Sequence, residues 1–409
     1  MPHLLLSALS NILIYGGSFV VVLSIVVTVH ELGHFWAARF CRIPVKSFSL
    51  GFGPQVLALR DKHNTVWKLS AIPLGGFVSW IDDTDPTSTL PPTEEQRELS
   101  PSEQRKRGYF RAQPLWARAL VTAAGPISNF LFAIFAFSTL TMIQGRDATD
   151  YAHLTDHIPA RIGAVQEHSA AATAGLKPGD VIVAANGQHI ATFAALQGVV
   201  SASAGKIITL SVQRGAQTLA LPATPQPRDR DDDLGHKRGD GFLGVGPLPL
   251  PSELTIVPAN PIDALQTGVR TTWALVAQTV DYIAKIVTGR ASADQIAGPL
   301  GILSASGKVA SASLAAPAST PGGPIALLVL NLFTLSAMLS VAVGFVNILP
   351  IPVLDGGHLM FYGIEAARGG RPLPPRAQEL AFWTGVSVLV SLFLFATWND
   401  ITKHLPGLQ

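Results

Sequence analysis

Residues 30–34 read His-Glu-Leu-Gly-His. On an α-helix, positions four apart are separated by about 400°, or about 40° past a full turn, and by about 6 Å along the axis. His30 and His34 can therefore ligate one ion from a single helix face. Glu31 is turned by about 100° from His30, so it can reach an attacking water without filling a coordination position. Catalytic zinc takes three protein ligands and keeps a fourth position open. His-Glu-x-x-His on a helix is the pattern of such a hydrolytic site.

A third ligand is not supplied nearby, because Phe35–Phe48 contains no His, Asp or Glu. The candidate lies far along the chain, in Asn347-Ile-Leu-Pro-Ile-Pro-Val-Leu-Asp-Gly-Gly-His358, where Asp355 is the first acid after a long uncharged run. Pro350 and Pro352 break a helix, and the glycine pair permits a sharp turn just after Asp355. Asp355 is the preferred third ligand, with His358 as its competitor.

The elements that must carry these residues are apolar. The 409-residue chain is 48% hydrophobic and only 14% charged, against about 25% charged in a typical soluble domain. No Asp, Glu, Lys or Arg occurs in 1–29, 119–145, 309–354 or 380–399. Each run reaches the roughly 20 residues that a helix needs to cross a bilayer core. A signal peptide is also apolar, but residues 1–11 lack Lys and Arg, no small-residue cleavage site is evident, and His30-Glu31 ends the run. An uncleaved span is therefore expected. The net charge of +2 is too small to suggest nucleic-acid binding. A single cysteine, Cys41, excludes an intrachain disulfide and a Cys-rich metal cluster.

The expected fold is a polytopic α-helical membrane protein with about four transmembrane helices. They cover 1–40, 116–145, 325–357 and 380–399, with His-Glu-x-x-His on the first and Asn-x-x-Pro-x-Pro-x-Leu-Asp-Gly on the third. Loops 41–115 and 358–379 are rich in Lys and Arg, which places them in the cytoplasm. Both termini, including the tail 400–409, and the central region then lie outside, periplasmic in a Gram-negative cell. Within 41–115, Thr65–Val78 suggests strands around a Gly75-Gly76 turn. Such a membrane-associated β-hairpin must pair its backbone groups within protein. Residues 82–107 read as a mobile polar loop. Residues 146–245 hold one extracytoplasmic α+β domain, with β-like runs at 161–165, 180–185, 206–214 and 217–221 and a helix-like 193–203, followed by a charged linker at 228–240. In 246–324, Leu265, Val269, Trp273, Val276, Val280, Ile283 and Ile286 recur at helical spacing. That stripe suits a helix lying on the outer membrane face or one packed against the domain.

In order along the chain, His-Glu-Leu-Gly-His, Gly51-Phe-Gly53, Trp67–Val78, Ala124-Gly-Pro-Ile-Ser-Asn129, Gly298-Pro-Leu-Gly-Ile302 and the Asn347–Gly356 motif resemble the site-2 protease family. These are intramembrane zinc metalloproteases, and the match is to their bacterial regulator-of-sigma-E branch across nearly the whole chain. The resemblance implies one Zn2+ per chain on His30, His34 and Asp355, with Glu31 as catalytic acid and base. It implies substrate contacts at Asn347 and, on the cytosolic-side hairpin, at Gly75, Gly76 and Phe77. It further implies regulated intramembrane proteolysis of single-span membrane proteins in the bacterial inner membrane. Those substrates would be anti-sigma-factor-like proteins first cut outside by a site-1-type protease, or signal-peptide remnants. Ala172–Gly187 is similar to the strand-turn run of a PDZ domain. The space from Ile158 to Leu221 holds one such domain, where enterobacterial relatives carry two, and it would obstruct untrimmed substrates by size. A zinc transporter is a second class, since intramembrane His and Asp also mark ion paths. A catalytically silent PDZ scaffold is a third. Neither accounts for Glu31 beside the two histidines.

Overall fold

A segment without charge for 29 residues can satisfy its backbone in an apolar medium only by internal hydrogen bonding. The first element of the computed structural model is accordingly one long helix, α1 (Pro2–Phe40). The structure describes residues 2–82, 99–149, 151–166, 169–227, 239–289, 293, 298–318 and 320–404. They form two units, Met1–Gln144 with Ala259–Gln409, and Gly145–Pro258.

After α1 come β1 (Val45–Arg60) and β2 (Val66–Trp80). The start of β1 pairs with the end of β2, from Val45↔Trp80 to Leu50↔Gly76, and also with its beginning, from Ser47↔Val66 to Leu50↔Leu69. The end of β1 pairs only with the beginning of β2, from Gln55↔Ser70 to Arg60↔Val66. Residues 76–80 therefore form an edge. The turn that closes the end of β1 onto the start of β2 is separate from the chain reversal between Leu69 and Gly76, where Gly75 has φ +106°. That closing turn is at 61–65, where Asp61 Oδ1 accepts the amides of His63 and Thr65 at 2.8 and 3.0 Å. An Asp that bonds its own downstream backbone is a strong turn former. Arg39, at the end of α1, donates to Asp61 at 2.5 Å and ties the helix to that turn. The hairpin exposes Phe52, Val56, Leu57, Leu59, Leu69 and Ile72, an apolar surface of the kind that faces lipid or protein.

The expected loop at 82–107 falls partly on 83–98, outside the described residues. From Ser100 onward a capping box, Ser100 with Glu103, starts the short helix α2 (Pro101–Lys106). α3 (Leu115–Gln144) follows.

In the unit Gly145–Pro258, β3 (Arg146–Asp147) pairs with β12 (Ile256–Val257) where the chain enters and leaves. Between them come α4 (Tyr151–His157), β4 (Ile162–Val165), α5 (Ala170–Thr173), β5 (Val181–Ala185), β6 (Gln188–His189), α6 (Phe193–Ser201), β7 (Ile208–Arg214) and β8 (Gln217–Ala223). Strands β6-β5-β7-β8 make one sheet over a core of Ile162, Ile182, Phe193, Leu196, Ile208 and Leu210. Most of the charged segment 228–240 lies outside the described residues. Its two ends are joined by β9 (Gln226–Pro227) paired with β10 (Gly241–Phe242). β11 (Val245–Pro247) then returns to pair with β4, and Leu243 is 2% exposed. The folded unit thus reaches past the linker, where no strand was expected, because three residues are too few to show an alternating pattern.

One ion pair pins the turn before β5. Arg214 grips Asp180 with two bonds of 2.7 and 2.8 Å, and Asp180 also accepts the Lys177 amide at 2.8 Å. The Arg214 guanidinium holds the Asp180 carboxyl below its ordinary range. A lowered folded pKa stabilises above the unfolded value of about 4, and the benefit is lost as pH falls through the folded value. Asp180→Ala should cost about 2–3 kcal/mol, the worth of bonds to a buried charge, and should flatten the loss of protection below about pH 4. Hydrogen exchange of the β5 and β7 amides in the full chain measures both. Unchanged exchange at neutral pH would show the pair to be dispensable.

The chain returns as α7 (Pro261–Val287), α8 (Pro299–Leu314), α9 (Gly323–Ile348), α10 (Asp355–Ala367) and α11 (Pro375–His404). Within α1, α3, α9 and α11, segments Ser10–Phe40, Leu115–Gln144, Gly323–Ile348 and Arg376–Thr402 are long and apolar enough to cross a membrane. α3 packs against α1, α7, α9 and α10. α7 meets α3 closely at Gly268, and Leu275 and Val276 pack against the cluster that holds Ala133, Phe137 and Leu140 of α3, while Leu265, Val269, Trp273 and Val280 are exposed. Asp400 of α11 accepts the Gly298 and Gly301 amides, which caps α8 and accounts for the Gly-Pro-Leu-Gly-Ile run. The stretch 358–379, expected as a loop, is helical as far as Ala367.

Candidate metal centre

α1 presents His30 and His34 on one side, as the four-residue spacing requires. They face α3, and two glycines allow the approach. A Cβ at Gly125 would overlap both imidazoles, and one at Gly33 would strike the Ala124 carbonyl and Ser128 Oγ. Ser128 Oγ in turn donates toward the Val29 and Gly125 carbonyls, both at 2.7 Å. His34 Nδ1 donates to the Val121 carbonyl at 2.8 Å. A carbonyl can only accept, so in the neutral imidazole the His34 proton is on Nδ1 and Nε2 carries the lone pair. His30 Nδ1 lies 3.2 Å from the Asn129 side-chain amide.

The third group comes from the broken segment after α9. That helix stops at Ile348 because Pro350 and Pro352 lack amide donors and disfavour helical geometry in the residues before them. The chain then turns so tightly that a Cβ at Gly356 or Gly357 would overlap the carbonyls of Ile348 and Leu349 or of Ile351. Val353 sits at φ +98°, a conformation that a β-branched residue adopts at a cost of about 1–3 kcal/mol. Asp355 opens α10, where the helix N-terminus favours an anion. It does not belong to the third span helix itself. α10 is held to α3 by Arg118, which pairs with the buried Glu365 at 2.6 Å and covers the Tyr362 ring at 5.0 Å.

These elements bring three ligand atoms together. His30 Nε2 and His34 Nε2 are 3.2 Å apart, and they lie 3.1 and 3.5 Å from Asp355 Oδ2. The three side chains are only 11, 13 and 17% exposed. Ligand atoms at tetrahedral corners about 2.0–2.1 Å from one zinc stand about 3.3 Å apart, so the spacing fits. The donor set fits as well: Asp355 Oδ2 is buried and accepts no hydrogen bond, so it is free to face a cation. His30, His34 and Asp355 could thus hold one divalent cation. His358, the competitor, is not among the converging groups.

Glu31 is not among them either. A Cβ at Gly76 would sit 3.4 Å from Glu31 Cγ, and the Val78 backbone is near the carboxylate. The acid therefore stands between the three groups and the edge of β2. Phe77 stacks on Phe52 with centroids 6.1 Å apart. Asn347, on the last turn of α9, donates along its own helix to the Val343 carbonyl at 3.0 Å. Sequence reasoning missed Val121, Gly125 and Asn129 as contacts of the two imidazoles. The Ala124–Asn129 motif was the available signal, but it does not say which helix it meets.

Known proteins are similar to this chain over most of its length. The model of peptidase family M50 matches residues 18–392. A protein of Agrobacterium fabrum named as a zinc metalloprotease is 40% identical over 94% of this chain and 95% of its own length. Metalloprotease MmpA of Caulobacter vibrioides is 35% identical over 95% of both. Regulator of sigma-E protease RseP of Salmonella typhimurium is 27% identical over 94% of this chain and 98% of its own.

Proposed function

The chain belongs to peptidase family M50, and on that premise we propose that it cuts membrane-embedded substrates with one zinc ion held by His30, His34 and Asp355. The observation that carries the reading is the convergence of those three ligand atoms beside Glu31, on a helix apolar enough to cross a membrane. When bound, the ion polarises the scissile carbonyl and acidifies the attacking water. Glu31 takes that water's proton as its oxygen bonds to the carbonyl carbon, and returns it to the amine as the C–N bond breaks. A substrate helix hides its carbonyls in its own hydrogen bonds, so it must unwind before Glu31 can act. The edge of β2 at Gly75, Gly76 and Phe77 could receive the unwound strand by strand addition, and Asn347 would hold it from α9.

We take the substrates to be single-span proteins of the anti-sigma-factor kind, after an outer cut by a site-1-type protease, or signal-peptide remnants. This draws on a relative whose name concerns sigma-E regulation. The setting would be the bacterial inner membrane, with both termini and the unit Gly145–Pro258 on the periplasmic side. We read that unit as one PDZ-like domain. A cavity of about 50 Å³ between α6 and the β10–β11 segment, lined by Phe193, Leu196, Val200, Phe242, Leu243 and Val245, supports this. A peptide would enter there as a strand beside β11.

The test is reconstitution of the full chain in liposomes with a single-span substrate. Cleavage should stop on zinc chelation and resume on re-addition. A proline placed near the cut lowers helix stability by about 3 kcal/mol, so it should speed cleavage by up to about a hundredfold. Cleavage insensitive to chelation, or zinc flux into the vesicles without cleavage, would overturn the reading.

A further inference from the structure

Asn129 is fully buried on α3. Its backbone carbonyl accepts Ser340 Oγ at 3.0 Å, and Gly344 of α9 packs against its Cβ. The side chain is thus wedged between α9 and the imidazole of His30. As placed, its Nδ2 lies 3.2 Å from His30 Nδ1, while its Oδ1 is buried without a hydrogen-bond partner.

That orientation conflicts with metal binding. A neutral imidazole carries one proton, and for Nε2 to offer its lone pair to a cation, Nδ1 must be the N–H. An amide NH2 against that N–H sets two donors face to face. The oxygen and nitrogen of a carboxamide are nearly the same size, and which is which is assigned from the surrounding bonds. Turning the Asn129 amide by half a rotation gives the orphaned Oδ1 a donor and frees His30 Nε2. α3 then supplies one acceptor to each imidazole: the Val121 carbonyl to His34 and the Asn129 carboxamide to His30. This inference rests on the zinc reading above. We propose that Asn129 is a positioning residue whose Oδ1 accepts the His30 Nδ1 proton and so fixes the metal-binding tautomer of His30.

The two orientations predict opposite results for aspartate at this position. A carboxylate can only accept, so Asn129→Asp preserves the proposed bond and destroys a donor role. Leucine fills similar volume and does neither. Zinc affinity of the purified full chain is measured by competition with a chromophoric chelator, beside the apo melting temperature and the cobalt(II) d–d spectrum. Loss of a ligand-orienting partner costs about 10–100-fold in metal affinity. Asn129→Leu should therefore bind zinc about 10–100-fold more weakly, while Asn129→Asp should stay within about threefold of the parent and keep its cobalt spectrum. Apo melting temperatures that agree among the three proteins would separate this effect from folding. Wild-type affinity in Asn129→Leu, or an aspartate variant as weak as leucine, would overturn the proposal. If His30→Ala itself leaves zinc affinity unchanged, the zinc reading fails instead.

Discussion

Glu31→Gln is expected to lower kcat/KM by about 10²–10⁴-fold, the share that a positioned general base supplies, while zinc affinity stays at the parent value. Glutamine keeps the size and hydrogen-bonding reach of the side chain but cannot accept a proton at neutral pH. The two readouts separate because Glu31 is not one of the three converging groups. It lies to their side, against Gly76 and Val78 of β2. The loss corresponds to about 3–5 kcal/mol of transition-state stabilisation. Single-turnover cleavage of a reconstituted single-span substrate, with zinc content measured on the same preparation, gives both numbers. Cleavage within tenfold of the parent would remove Glu31 from the chemistry. Loss of zinc with activity would make it a structural residue instead.

The second large effect is expected from a single methyl group. Gly125→Ala places a Cβ inside the van der Waals envelope of both imidazoles, against the His34 ring and His30 Cε1. Either the rings turn away from Asp355 or α3 moves off α1. Forced overpacking of this kind costs about 1–3 kcal/mol, and here the strain falls on the two proposed ligands. Zinc should bind about 10–100-fold more weakly, with activity at low zinc falling in parallel. The control is Gly363, in the middle of α10, where an added Cβ meets nothing within 4 Å. Gly363→Ala should be neutral or stabilising by up to about 1 kcal/mol, the ordinary helical preference for alanine. Zinc titrations and melting curves of both variants settle the comparison. Parent-like zinc binding by Gly125→Ala would mean that α1 and α3 do not approach this closely.

Several features were legible because they follow from one element's own periodicity. The four-residue spacing puts His30 and His34 on one helix face wherever that helix lies. Uncharged runs of bilayer length mark α1, α3, α9 and α11 by composition alone. Asp355 stood out as the first acid after such a run, and two prolines announced that the helix would break before it.

What remained hidden depends on which faces meet. A sequence shows that a face exists but not what lies across from it. The α7 stripe illustrates this: its spacing suited either the outer membrane face or packing against the domain, and in the structure Gly268 and Val276 meet α3 while Leu265, Val269, Trp273 and Val280 are exposed. Small residues allow close helix approach. Likewise Gly75-Gly76 read as a turn, and the chain does reverse between Leu69 and Gly76, but only pairing with 45–50 puts the strand that follows beside Glu31. The sequence by itself determined two histidines on one helix face, a glutamate beside them and the membrane-length helices that carry them, because helical spacing needs no partner. Only the tertiary structure decided that Asp355 closes the set and that Val121, Gly125 and Asn129 seat the imidazoles. Those contacts join segments about a hundred to three hundred residues apart, and close packing of separate helices, not periodicity within one, selects them.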